Sequence, residues 1–173
     1  MNLRTAEGST AVMMVPPVGR YRLDRRWGDL ENTTPRMPLF IVAYPGPADE
    51  RTNDRHVWRA TRLARLWGYD GFSIVALSPR YLHEGGRTLR HAGLDAAIND
   101  DFVVDGVRRC DIAVPVWGID RRVVEEAERI TSLIKDKKLW HKIRLLDPED
   151  KGRTFDLLSS HTSKSTCWPR IPK

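Results

Sequence analysis

The chain has 173 residues, 40% of them hydrophobic and 30% charged, with 12 Gly and 11 Pro; this fits one domain and excludes a disordered, collagen-like or disulfide-scaffold chain. Cys110 and Cys167 form no C-x-x-C pair, no apolar run approaches the ~20 residues of a membrane span, and the opening MNLRTAEGST lacks a signal peptide's apolar core, so zinc, disulfides and membrane insertion are not expected and a cytoplasmic protein is. The 29 Lys and Arg against 23 Asp and Glu give +6, but residues 37–150 carry 18 of each, so the excess sits at the ends: +2 over residues 1–36 and +4 over residues 151–173.

Residues 1–19, with Gly, Ser, Thr and Pro16-Pro17, read as a flexible arm, and residues 20–173 as a single α/β domain with a basic C-terminal segment. Residues 20–27 suit a short strand or ordered arm, and residues 31–38 a polar, Pro-broken connection. The apolar run at 38–44 predicts the first buried strand. After Pro45-Gly46-Pro47, Asp54 can cap a helix that buries Val57, Ala60, Leu63, Ala64 and Trp67, leaves Arg55, Arg59, Arg62 and Arg65 solvated, and ends at Gly68. Residues 72–77 predict the second strand, 78–93 a long polar connection, the stretch after Asn99-Asp100 a short helix, and 111–117 the third strand. Val123, Val124, Ala127, Ile130 and Ile134 define another helix, and 142–147 suits a fourth strand. Alternating strands and helices predict a three-layer α/β/α architecture around a small, mostly parallel sheet of about four strands.

Ligands of such sheets bind beyond the carboxyl ends of the strands, which points to loops 44–54, 76–93 and 117–122. In the first, Tyr44 offers a stacking face, Pro45 and Gly46 a close backbone approach, and Asp49 and Asp54 carboxylates that orient a water or hold a hard cation; the alternative for Asp54 is a helix cap. In the third, Trp117-Gly118 could stack on a base while Arg121 and Arg122 hold phosphate; the alternative is that Trp117 faces the core and the arginines open an exposed helix. Arg80, Lys164 and Arg170 are further phosphate candidates, Lys164 and Arg170 alternatively marking a solvated basic terminus. Phosphate-loop, dinucleotide, nucleophile-elbow and H-E-x-x-H motifs are absent, the five histidines lack metal spacing, and Cys110 suits a core position; no metal or cofactor is expected.

Eight stretches carry a resemblance: Arg20-Tyr21-Arg22-Leu23-Asp24-Arg25-Arg26-Trp27, Tyr44-Pro45-Gly46-Pro47-Ala48-Asp49, Asn53-Asp54, Trp67-Gly68-Tyr69, Ala76-Leu77, Asn99-Asp100, Trp117-Gly118 and Pro169-Arg170-Ile171-Pro172. In order and spacing they resemble an uncharacterised bacterial and phage domain family with R-Y-x-L-x-R-x-W, N-P-S-x-A-D, W-G-Y, N-D, W-G and P-x-H-P motifs. That family more distantly resembles the uracil-DNA glycosylase superfamily, which implies a glycosylase-like parallel sheet. The resemblance puts the water-positioning place on Tyr44, the base-reading Asn place on Ala76 and the late His place on Ile171, so all three polar groups are missing. Ala76 and Asn99, from the Ala76-Leu77 and Asn99-Asp100 stretches, are counted with Tyr44, Pro45, Gly46, Trp117 and Gly118 as base- or nucleotide-binding candidates.

The resulting expectation is a protein that binds DNA or a nucleotide, in phage or bacterial DNA metabolism, with degenerate catalytic motifs and no excision of ordinary uracil. One alternative is an active glycosylase or base-modifying hydrolase that uses Asp49 or Asp54 on a non-standard base. The other is a protein-interaction module, such as a counter-defence factor, with a vestigial pocket.

Overall fold

The computed structural model describes residues 1–15, 18–81, 94–118 and 123–146. In chain order the strands and α-helices are β1 (Asn2–Ala6), β2 (Ser9–Met13), β3 (Arg20–Arg26), β4 (Leu39–Val42), α1 (Arg55–Leu66), β5 (Gly71–Ala76), α2 (Leu94–Arg109), β6 (Ala113–Pro115) and α3 (Val124–Asp136). They build one six-stranded mixed sheet in the order β1-β2-β3-β5-β4-β6.

β4, β5 and β6 fall in the three apolar runs, and every one of their residues is buried. Successive side chains of a strand face opposite sides of a sheet, so a run apolar throughout must be covered on both faces. Phe40, Val42, Phe72 and Ile74 pack with Val57, Ala60 and Leu63 of α1. Leu39, Ile41 and Val75 face the other way, onto Val103 and Val107 of α2 and Ile130 and Ile134 of α3. Each such buried aliphatic or aromatic side chain contributes roughly 1.5–3 kcal/mol, so these two interfaces hold the sheet between its helices.

The expected mostly parallel, four-stranded, glycosylase-like sheet is overturned. Only β4 with β5 and β4 with β6 are parallel, whereas β1 with β2, β2 with β3, and β3 with β5 are antiparallel. The difference begins at the N-terminus, where residues 2–13, read from the sequence as a loose arm, form a hairpin. Glu7 and Gly8 make its two-residue turn, with Gly8 at φ +63°, and Ser9, Ala11 and Met13 are buried at period two. Small and hydroxyl residues mute that alternation, so hydropathy alone passes over it.

The fourth strand expected at 142–147 is also corrected: Trp140–Lys142 is a 3-10 turn, and Ile143 makes a single parallel bridge to Ala113. Ile143 and Leu146 are buried one at a time, without a ladder, and residue 147 lies outside the described residues. Among those residues no helix is long and apolar enough to cross a membrane.

Candidate functional site

The loops that follow β4, β5 and β6 share one rim of the sheet, because the three strands run parallel. The N-terminal end of β3 reaches the same rim: Arg22 pairs with Val75, and the amide of Arg20 donates to Pro79 O at 2.7 Å.

A bulge decides where Arg20 points. Val12 pairs with Arg22 but Met13 pairs with Arg20, leaving Tyr21 as an extra residue in β3. Tyr21 and Arg22 then both reach α2, Tyr21 by stacking on Phe102 at 5.3 Å and Arg22 through Asp105. Arg20 turns to the other side, where its Nη1 donates to Ala48 O in the loop after β4. Its residue is only 1% exposed, yet Nη2 has no hydrogen-bond partner among the described residues. Burial pushes this guanidinium's pKa down, while the carboxylates of Asp54 and Asp49 and the phenol of Tyr81 hold it up, with Arg25 opposing them. Guanidinium titrates above any working pH, so the group remains a buried cation.

Arg25 braces the rest of the loop, donating from Nη2 to Asp49 O at 2.6 Å and Thr52 O at 2.9 Å and from Nε to Asn53 Oδ1 at 3.2 Å. Asp54 caps α1: Oδ1 accepts from Val57 N at 2.9 Å and Oδ2 from Ala48 N at 3.2 Å. Gly46 lies against this carboxylate, and a Cβ there would sit 2.8 Å from Asp54 Cγ and 3.1 Å from His56 Nδ1. Asp49 closes an Asx turn, its Oδ1 accepting from Arg51 N, Thr52 N and Thr52 Oγ1 at 2.7 to 2.9 Å. Those donors hold its pKa below the ordinary carboxylate value. Both proposed catalytic carboxylates therefore have structural bonds, and both oxygens of Asp54 are engaged.

The other candidates divide clearly. Pro45 is buried, and Tyr44 is half-buried against the α2–α3 side of the core. Ala76 is buried within β5 and offers only its carbonyl, but a side-chain amide arrives there from α2: Asn99 Nδ2 donates to Ala76 O at 3.0 Å and Leu77 O at 3.1 Å. Asn99 is fully buried, and its Oδ1 has no partner among the described residues. Trp117 is 8% exposed and packs in the core, with Gly118 beyond it at φ +76°. Arg80 pairs with Asp95 at 2.5 Å. Arg121, Arg122, Lys164, Arg170 and Ile171 lie outside the described residues. Burial raises the Cys110 thiol to about 12, which leaves it protonated and inert.

Sequence reasoning did not single out Arg20, Ser78 or Glu50 for binding. Among the described residues, six buried side-chain nitrogen or oxygen atoms have no partner, and four belong to residues of this rim: Arg20 Nη2, Glu50 Oε2, Ser78 Oγ and Asn99 Oδ1. Buried polar atoms are nearly always hydrogen-bonded, because leaving one unmade costs about 1–3 kcal/mol. Arg20 reaches the loop after β4 on the α1 side of the sheet, whereas Asn99 meets the end of β5 from α2 on the other side, so the unpartnered cation and amide oxygen flank the sheet end from both faces. No three of His, Cys, Asp or Glu converge to hold a metal among the described residues.

Neither a curated protein nor a solved structure matches the chain. Residues 20–155 match the family described as protein of unknown function (DUF1643). That match begins at Arg20 and takes in the whole described part of the rim, and the chain belongs to this family.

Proposed function

We propose that the chain binds a nucleotide, free or within a nucleic acid, at the carboxyl rim of β4, β5 and β6. The observation that carries this reading is that the segments ending at this rim contribute four buried polar atoms with no partner among the described residues. A nucleotide carries the complement of each: phosphate or sugar oxygens for the Arg20 guanidinium, sugar hydroxyls for Glu50, and the donors and acceptors of a base edge for Ser78 and Asn99. Gly46 keeps the loop backbone close against the Asp54 cap, and Tyr44 adds a half-exposed aromatic face. Binding is favoured over hydrolysis because the bonds of Asp54 and Asp49 fix the loop and leave neither placed as a free base.

Calorimetric titration with nucleoside monophosphates at low ionic strength tests the reading, with Ser78→Ala as the informative variant. Removing a buried hydroxyl that has no partner should leave stability unchanged or raise it by up to about 1 kcal/mol. The same change should weaken nucleotide binding. A Ser78→Ala protein that is clearly less stable, or one that binds like the parent, would count against this role for the rim. Failure of every nucleoside monophosphate to bind the parent protein would end the proposal.

A further inference from the structure

Arginines on α2 and α3 are neutralised by neighbours: Arg109 pairs with Asp105 at 2.8 Å, and Arg129 with Asp100 at 2.5 Å and Glu126 at 2.9 Å. α1 is different. It carries Arg55, Arg59, Arg62 and Arg65 and no acidic residue, and among the described residues none of the four is in an ion pair. Its inner face packs Val57, Ala60, Leu63 and Ala64 into the core, so the charge lies on the outer and flanking surfaces. Arg55, Arg62 and Arg65 are exposed, and Arg59 is half-buried with Nη1 unpartnered among the described residues.

Trp58 stands on that outer face, 65% exposed. It lies three residues after Arg55 and four before Arg62, and those spacings make neighbours on a helix surface. Cations and aromatic faces continue beyond the helix end, with the Arg65 guanidinium 4.6 Å from the Trp27 ring centre and that of Arg36 5.8 Å from Tyr69. The other end of α1 is the Asp54 cap against Gly46, at the rim described above.

We infer that the outer face of α1 is a platform for single-stranded nucleic acid that leads to the rim. Trp58 stacks on a base and Arg55 and Arg62 hold the phosphates on either side of it, the combination by which proteins bind single strands without reading sequence. From Arg55 to Arg65 the helix advances about 15 Å at 1.5 Å per residue, enough for several nucleotides of charge. The platform rests on the nucleotide reading for what the rim receives and adds the polymer that delivers it. An anionic membrane is the rival partner for a basic helix. Interfacial helices submerge an apolar face, however, and α1 has already buried its own; Trp58 and Leu66 are all that it shows outward, with Arg62 between them.

The test is fluorescence anisotropy with a dye-labelled deoxythymidine decamer, alongside calorimetry with thymidine monophosphate. Trp58→Ala should bind the decamer about tenfold more weakly, within the range of a lost base stack, and should keep its affinity for the monophosphate. Replacing Arg55 and Arg62 together by Ser should reduce the slope of log affinity against log salt by roughly 1.4, at about 0.7 per phosphate on a single strand. All three positions are exposed, so circular dichroism should show the parent fold. If the monophosphate binds and Trp58→Ala binds the decamer like the parent, the platform is wrong and the rim reading stands. If decamer binding depends on Trp58 while no monophosphate binds, the platform stands and the rim reading falls. Trp58-dependent binding to phosphatidylserine–phosphatidylcholine vesicles, with none to the decamer, would overturn the platform in favour of a membrane surface.

Discussion

Asp49 and Asp54 stand in one loop, and each holds it by a different device. Asp54 works as a helix cap, and its charge also helps to keep Arg20 ionised. Asp49 works through two backbone amides and one hydroxyl that favour its ionised form, so its folded pKa lies below the ordinary value near 4. A depressed carboxyl pKa contributes stability that is fully present above the ordinary value and is lost as pH falls through the folded value. Amide exchange at Arg51 and Thr52 should therefore accelerate, relative to the intrinsic rate, as pH drops through that acid window, and Asp49→Asn should remove most of the pH dependence. A pH profile unchanged by the substitution would show that the turn is held some other way. The sequence made the cap legible, because Asp54 stands immediately before apolar residues at helical spacing. It could not show that Arg20 is buried, since that follows from a bulge at Tyr21, a feature of pairing between β2 and β3 rather than of local pattern.

At the level of elements, β2, β3 and β5 are tied by side chains as well as by their ladder. Thr10, Asp24 and Ser73 are consecutive partners across the three strands. Asp24 accepts from Thr10 Oγ1 at 2.9 Å, Ser73 Oγ at 2.5 Å and Arg22 Nε at 2.8 Å. Asp24→Ala leaves one buried donor, Ser73, and two half-buried ones, Thr10 and Arg22, without their acceptor and should cost about 2 kcal/mol, read as a lower midpoint in chemical denaturation. A loss below a few tenths would mean that water replaces the carboxylate freely. The three parallel strands were legible because burial on both faces demands an uninterrupted apolar run, as in Leu39–Val42. The hairpin was not: Ser9, Thr10 and Ala11 alternate in burial far more than in hydropathy. The fourth apolar run misled for the opposite reason, since Ile143 and Leu146 are buried by packing alone.

Across the described residues, the rim faces a second polar region on the opposite edge of the sheet. This second region lies at the amino ends of β4 and β6, where clefts of about 380 and 490 Å³ share Arg22, Arg26 and Met37. In those clefts Arg22 and Arg109 already pair with Asp24 and Asp105, whereas the rim holds polar atoms with no partner among the described residues. This contrast is why we propose the rim as the ligand's site, and side-chain NMR tests the proposal most directly. On addition of a nucleoside monophosphate, the Arg20 Nε–H and Asn99 Nδ2 resonances should shift in a saturable manner, while those of Arg22 and Arg109 stay in place. Shifts confined to Arg22, Arg26 and Arg109 would move the site to the opposite edge and contradict the account.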